Sequence, residues 1–282
     1  MSVGQLEAAP ETHEDPPRMS QDDAETRASL RPDVPGTAAF GKFMRVLQAV
    51  ADAPGGATVA RLAQGLRLPR PTVHRIVAAL AAEGLVTDED GVLQLGPRLV
   101  SLAFRSFDGS LLRQAAREPL RRLRDDLDET VHLAVPDHGE MVYIDKLESH
   151  RTVRMASRIG TRVALHTSAV GKAWLATLPE PELTALLARL PLPARTPHSL
   201  TDRDALHRAI TETRARGHSL DLQENELDIC CYGMALHGAR SRVLGCISVS
   251  LPRYRFEAVA AETVLAAMRA CADGVARVAG AR

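Results

Sequence analysis

Residues 58–84, Thr-Val-Ala-Arg-Leu-Ala-Gln-Gly-Leu-Arg-Leu-Pro-Arg-Pro-Thr-Val-His-Arg-Ile-Val-Ala-Ala-Leu-Ala-Ala-Glu-Gly, constrain this chain more than any other stretch. Thr58 is a helix-capping residue, and Val59, Leu62, Ala63 and Leu66 then recur on one helical face. After a tight turn a second helix runs from about Arg70 to Glu83 and stops at Gly84. Within it Val73, Ile76, Val77 and Leu80 follow i, i+3, i+4, i+7 spacing and face a core. Leu85-Val86-Thr87 and Val92-Leu93-Gln94-Leu95 flank Asp88-Glu89-Asp90-Gly91, which reads as a two-stranded hairpin with Gly91 in the turn. A capped helix, a turn, a basic second helix and a hairpin in this order form the layout of a winged helix-turn-helix that reads DNA.

Periodicity then selects the reading face. At about 100° per residue, Pro71, His74, Arg75 and Ala78 lie opposite the apolar stripe of the second helix. Pro71 suits a first helical turn, where its missing N–H is not needed. Arg75 can donate two hydrogen bonds to a guanine edge, worth about 1–3 kcal/mol of discrimination. Thr72 and His74 can reach a base or a phosphate, and Ala78 lets the helix sink into the groove. Arg61, Arg67 and Arg70 are placed for phosphates, which set register rather than sequence.

The charge distribution agrees with specific contacts rather than a general positive field. The 282 residues carry zero formal net charge. Met1–Gly36 holds eight acidic residues and three arginines, whereas Lys42–Arg98 holds seven basic and five acidic ones. Residues 1–36, acidic and broken by five prolines, are expected to be a disordered tail. A winged helix-turn-helix domain is expected over 37–97. It opens with a helix to about Ala51 that carries Phe40, Phe43, Met44, Leu47 and Val50. A linker helix is expected over 98–109, and a second domain over 110–282.

That second domain reads as helix and strand mixed. A long amphipathic helix over 110–128 precedes strands at Val131–Val135, Met141–Leu147 and Thr152–Ala156. Helices follow near Ser168–Thr177, Glu180–Leu190 and Asp202–Arg216. Strands return at Ile229–Leu236 and Val243–Ser250, and a last helix fills Phe256–Val278. The fold class is α+β. The whole chain's four cysteines include no CxxC pair, and its ten histidines show neither HxxxH nor H-E-x-x-H spacing, so no metal or cofactor is expected. Without a signal peptide or a long apolar run, the chain reads as cytoplasmic.

No catalytic constellation stands out. Ser168 lies in Thr-Ser-Ala-Val-Gly-Lys, which lacks the glycine spacing of a nucleophile elbow or a phosphate loop. Cys231 paired with His132 or His166 would be one route to an enzyme, and oxidation of Cys230 with Cys231 one route to a redox sensor. A small-molecule site is a third route. Ser248 and Ser250 alternate with Ile247 and Val249, so both hydroxyls point to one face of a strand. If that face is interior, they need partners, which a small polar ligand near the helix start at Ala169 would supply.

Several separated motifs resemble the IclR family of bacterial transcriptional regulators. They are Leu68-Pro69-Arg70-Pro71-Thr72-Val73-His74-Arg75, Leu95-Gly96-Pro97-Arg98-Leu99, Glu129-Thr130-Val131-His132-Leu133-Ala134 and Val142-Tyr143-Ile144-Asp145. His166-Thr167-Ser168-Ala169-Val170-Gly171-Lys172-Ala173, Arg195-Thr196-Pro197 and Ile247-Ser248-Val249-Ser250 complete the series. The resemblance implies a GAF-like effector-binding domain with an antiparallel sheet. It also implies a homodimer or tetramer on a palindromic operator in double-stranded DNA, whose operator affinity responds to a small metabolite such as a carboxylate. A regulator of this kind, most simply a repressor, is not an enzyme. By motif, Ala169, Val170, Asp221, Cys231, Ser248 and Ser250 would hold the ligand, with Met155, Val163 and Ile229 as its apolar wall. The chain departs from the family at Arg67, where glycine is common in the turn, and at Tyr232 after the pocket cysteine.

Overall fold

The computed structural model describes residues 34–53, 55–153 and 155–280, and most of the expected N-terminal tail lies outside them. The chain divides into two compact units, 32–118 and 119–277.

In the first unit α1 (Ala38–Ala51), α2 (Val59–Leu66) and α3 (Arg70–Ala82) precede a hairpin of β1 (Val86–Glu89) and β2 (Val92–Leu95). The core joins Val46 and Val50 of α1, Leu62 and Ala63 of α2, the four residues of the α3 stripe, and Val86 with Leu93 of the hairpin. The Thr58 hydroxyl accepts the Arg61 N–H and caps α2. Asp90 and Gly91 both have positive φ, which closes β1 and β2 through a two-residue turn of the type that matches strand twist. On α1 the buried face follows Phe43, Val46, Leu47 and Val50, while Phe40 and Met44 are exposed. Val46 therefore replaces Met44 in the expected stripe, and Phe40 lies one turn beyond the stripe's end. The linker segment is helical as α4 (Pro97–Gly109) and buries none of its residues. Arg98, in its first turn, binds both the carbonyl and the carboxylate of Glu83.

After α5 (Leu111–Leu127) the second unit is built on β3 (Thr130–Asp137), β4 (Glu140–Leu147), β5 (Arg162–Ala164), β6 (Ser219–Leu222), β7 (Ile229–His237) and β8 (Val243–Pro252). These six strands form one antiparallel sheet in the order β5-β4-β3-β8-β7-β6. α6 (Ala169–Leu175), α7 (Glu180–Arg189) and α8 (Arg203–Arg216) come between β5 and β6, and α9 (Arg253–Ala258) and α10 (Ala261–Gly280) end the chain. Val131, Leu133, Ile247, Val249 and Leu251 alternate onto one face and are fully buried. The other face is also buried. Its apolar part joins Ala134, Met141, Tyr143, Val163 and Cys246 to Val170 and Ala173 of α6.

The strands and the C-terminal helix differ from expectation. The expected strand Thr152–Ala156 does not form among its described residues, and β5 takes its place further on. Here the Lys146 ammonium donates to the carbonyls of Met155 and Ser157 at 2.8 and 2.6 Å. A side chain thus takes acceptors that a neighbouring strand would use. Strand β6 went unread because its buried residues are Ser219 and Asp221, which inverts the usual alternation. The expected single C-terminal helix breaks at extended Val259. Short α9 before the break is pinned by Arg255 to buried Glu129, and by Phe256 stacked 4.8 Å from Tyr232.

The approach of α6 to the sheet has one strict requirement. A Cβ on Gly233 would sit 2.5 Å from the Ala169 carbonyl oxygen and closer still to Ser219 Oγ. Ser219 Oγ itself donates to that carbonyl at 2.6 Å. Gly233→Ala should therefore destabilise the protein by about 1–3 kcal/mol, read as a lower urea midpoint; an unchanged midpoint would show that α6 can lift at little cost.

Candidate functional site

The N-terminal unit presents the expected DNA-reading face. Arg61, Arg67, Arg70, Pro71, His74, Arg75 and Ala78 are exposed, and Thr72 is half-buried. Among the described residues the side chains of Arg61, Arg67, Arg70, His74 and Arg75 have no hydrogen-bond or ion-pair partner, so their donors face outward. Pro71 stands in the first turn of α3, whose entry is fixed by the Pro69 carbonyl accepting the N–H groups of Thr72 and Val73. The turn before it is tight because Arg67 adopts φ 53° and ψ 42°. Leu68 N–H returns to Ala63 O and Arg67 N–H to Gln64 O, the paired bonds of a left-handed helix terminator. This is the position at which glycine is preferred, so the departure noted in the sequence sits on a backbone that disfavours it.

In the second unit the register builds a polar patch. Asp221 lies opposite Cys231, Cys231 opposite Ser250, and Ser250 opposite Thr130. The adjacent row on the same face runs Ser219, Gly233, Ser248, His132 and Lys146. Asp221, Cys231, Ser248 and Ser250 are thus brought together, all buried. Ala169 touches Gly233 from above, and Met155 is held at the far end of the second row by Lys146. Val163 and Val170 meet in the apolar cluster of the same face. Ile229 is half-buried two residues from Cys231 on the same side of β7.

His132 organises this patch. Its Nε2 is 2.7 Å from Ser157 Oγ, while Nδ1 is 3.4 Å from Ser250 Oγ and 3.5 Å from Ser248 Oγ. Burial, with Lys146 nearby, pushes its pKa down to about 3, so the ring is neutral. A neutral ring that donates from Nε2 has one lone pair on Nδ1, which cannot serve two hydroxyls fully. The serines already have a partner, which revises the idea that they would stand unsatisfied. Tyr143 stacks on His132 at 4.3 Å between ring centres. Sequence periodicity could place His132 on a strand, but not beside two serines 116 and 118 residues away.

From β6, Asp221 Oδ1 accepts the N–H groups of Glu224 and Asn225 in the loop that follows, at 2.8 and 3.3 Å. Burial raises its pKa to about 7, with Lys172 opposing the shift and Glu224 adding to it. Lys172 is itself buried and pairs with both carboxylate oxygens of Glu224. Neither member of that pair was singled out from sequence; the 52-residue separation hides it.

Thiol chemistry finds little support in this geometry. Cys231 Sγ donates to Ser250 Oγ at 3.2 Å, so a serine stands between the thiol and His132. Burial raises the Cys231 thiol well above its ordinary range, which keeps it protonated. His166 bonds through Nε2 to the Pro193 carbonyl. Cys230 and Cys231 occupy opposite faces of β7, and both are buried. Ser168 caps α6 by accepting the Gly171 N–H. Among the described residues no group of three His, Cys, Asp or Glu could hold a metal ion, and no helix is long and apolar enough to cross a membrane.

These two arrangements coincide with known proteins. Residues 41–90 match the IclR helix-turn-helix domain, and residues 105–277 match the C-terminal domain described as bacterial transcriptional regulator IclR C-terminal. The chain is 35% identical over 185 residues to the HTH-type transcriptional regulator XynR of Escherichia coli, covering 65% of this chain and 73% of that one. It is 30% identical over 213 residues to the transcriptional repressor IclR of Escherichia coli, covering 74% and 78%. Among solved structures, an IclR homologue from Microbacterium hydrocarbonoxydans complexed with 4-hydroxybenzoate superposes with a TM-score of 0.73 at 25% identity, covering 87% of this chain and 100% of that one. The chain belongs to the IclR family of bacterial transcriptional regulators. It is a transcriptional regulator with an N-terminal DNA-binding helix-turn-helix and an α+β C-terminal domain.

The strained turn makes a direct prediction. Arg67→Gly should relieve about 1 kcal/mol of left-handed strain and raise the urea midpoint. A lower midpoint would show that the Arg67 side chain contributes more to the folded state than its backbone costs.

Proposed function

We propose that this protein is a repressor whose operator affinity is set by a small carboxylate bound on the buried polar face of the C-terminal sheet. The observation that carries the reading is the His132–Ser248–Ser250 cluster. It is a buried hydroxyl pair sharing one imidazole lone pair, and so is prepared to donate to an acceptor from outside. Family membership supports the DNA-binding half, and the repressor IclR of Escherichia coli supports the sign of regulation. The Microbacterium homologue, complexed with 4-hydroxybenzoate, supports a carboxylate as effector. Arg75 reads a base edge, helped by Pro71, Thr72, His74 and Ala78, while Arg61, Arg67 and Arg70 contact phosphates. Met155, Val163, Ala169, Val170, Asp221, Ile229 and Cys231 surround the serines around the ligand.

The active species is a homodimer, or a tetramer built from dimers, on a palindromic site. Phe40 and Met44 stand one turn apart on α1, and Val100 and Phe104 one turn apart on α4, all exposed. A second copy is the partner that a two-fold operator calls for. Coupling of about 1–3 kcal/mol between effector and operator would change DNA affinity about 5–150-fold.

Arg75→Ala tests the reading helix. On a duplex enriched from a random pool by the wild-type protein, it should weaken binding about 5–150-fold at fixed salt, with the melting temperature unchanged. Equal affinity would remove Arg75 from base reading. Ser248→Ala with Ser250→Ala tests the pocket: 4-hydroxybenzoate and other small carboxylates should no longer release that duplex, while affinity without them stays at the wild-type level. A normal response in the double variant would move the effector elsewhere.

A further inference from the structure

The end of the reading helix and the start of α4 meet at one corner of the N-terminal unit. α3 closes on Gly84, whose φ of 68° is that of a left-handed terminator, and the Leu85 N–H returns to the Leu80 carbonyl at 2.9 Å. Residues 96–98 then fold back onto this end. The Gly96 N–H donates to the Leu85 carbonyl at 2.8 Å, and the Arg98 N–H to the Gly84 carbonyl at 3.3 Å. A Cβ on Gly96 would overlap the Gly84 carbonyl, so the two backbones touch. Over this contact the Arg98 guanidinium donates through Nη1 to the Glu83 carbonyl at 3.0 Å and also to the Glu83 carboxylate. A residue of the linker helix thus sets a cation on the negative end of the reading helix.

α4 buries none of its residues, so its direction relative to α3 is set at this corner rather than by a core. The Arg98 and Glu83 side chains are 51% and 63% exposed, and an ion pair so placed adds little stability. What it adds is direction, because one nitrogen bonded to two acceptors of a single residue resists rotation of α4 about the backbone bonds. The 13 residues of α4 span about 20 Å. A turn of about 10° at its start carries its far end through about 3.5 Å, which is about one base-pair step. Resting on the two-fold operator reading above, we propose that Arg98 is the positioning residue for operator spacing. In that reading the second copy rests on the exposed Val100 and Phe104 of α4. By fixing the angle between α3 and α4 in each copy, Arg98 fixes the separation of the two reading helices, and hence the half-site spacing that the dimer accepts. Arg75 reads a half-site; Arg98 acts through α3 and sets how far apart two half-sites stand.

The test uses the full chain and the duplex that the wild-type protein enriches from a random pool. Beside it stand the same duplex with one base pair added or removed at its centre, and one with a single half-site scrambled. The wild-type protein should bind the respaced duplexes about tenfold more weakly or worse, because one half-site then keeps only its phosphate contacts. Arg98→Met keeps the apolar stem and removes the donors. It should bind the three spacings within about threefold of one another, with the melting temperature and the affinity for the scrambled duplex at wild-type levels. Arg98→Lys keeps a cationic donor and should lie between the two. If Arg98→Met melts lower, Glu83→Gln carries the same comparison, since it leaves the carbonyl in place and removes the charge. A wild-type preference for spacing in a stably folded Arg98→Met, or in Glu83→Gln where that variant carries the comparison, overturns the inference. An equal loss on all four duplexes also overturns it, since Arg98 then contacts phosphate or supports α3 alone. If the wild-type protein binds all three spacings equally, the two-fold reading itself fails and this inference with it.

Discussion

The contact between the start of α6 and the backbone at Gly233 sets the geometry of the C-terminal unit. Because position 233 has no side chain, the Ala169 carbonyl can rest on β7 and accept the Ser219 hydroxyl. Val170 and Ala173 then reach the apolar half of the sheet face. Lys172, one turn into the helix, meets Glu224 in the loop beyond β6. A longer spacing would open the face to water and separate that ion pair. Buried ion pairs contribute little net stability but fix arrangement, because breaking one strands a charge. The polar patch is thus held by a packing constraint at one end and an electrostatic one at the other.

The two units show different degrees of agreement between pattern and burial. In the N-terminal unit polarity and exposure follow the simple rule. Val73, Ile76, Val77 and Leu80 are inside, while His74 and Arg75 are outside. In the C-terminal unit the sheet carries polar residues inward beside the apolar ones. Ser219, Asp221, Ser248, Ser250, Thr130 and His132 are all buried. Each requires partners, and the structure supplies them from one another and from backbone groups.

That difference explains how far the sequence could be read. The α3 stripe, the Thr58 cap and the Asp90-Gly91 turn are local patterns, and the structure contains all three. Alternation also placed Ser248 and Ser250 on one face. Strand β6 is illegible because its inward residues are polar, and Thr152–Ala156 has a strand's alternation although the carbonyl of Met155 is taken by Lys146 of β4. His132, Lys172 and Glu224 acquire their roles only through strand register and helix placement, which join residues far apart in the chain. Arg67 lies between these cases: its type was noticed as unusual, and its left-handed backbone gives the reason.

The placement of Cys230 and Cys231 has a use of its own. They are neighbours in sequence, yet the pleat sends their sulfurs into different layers of the unit. A thiol reagent can reach each only when the layer over it opens. Cys231 therefore reports breathing of the side under α6, and Cys230 reports breathing of the opposite side near α9. The rates at which the two thiols are modified under native conditions compare the local opening free energies of the two layers within a single residue step of the backbone.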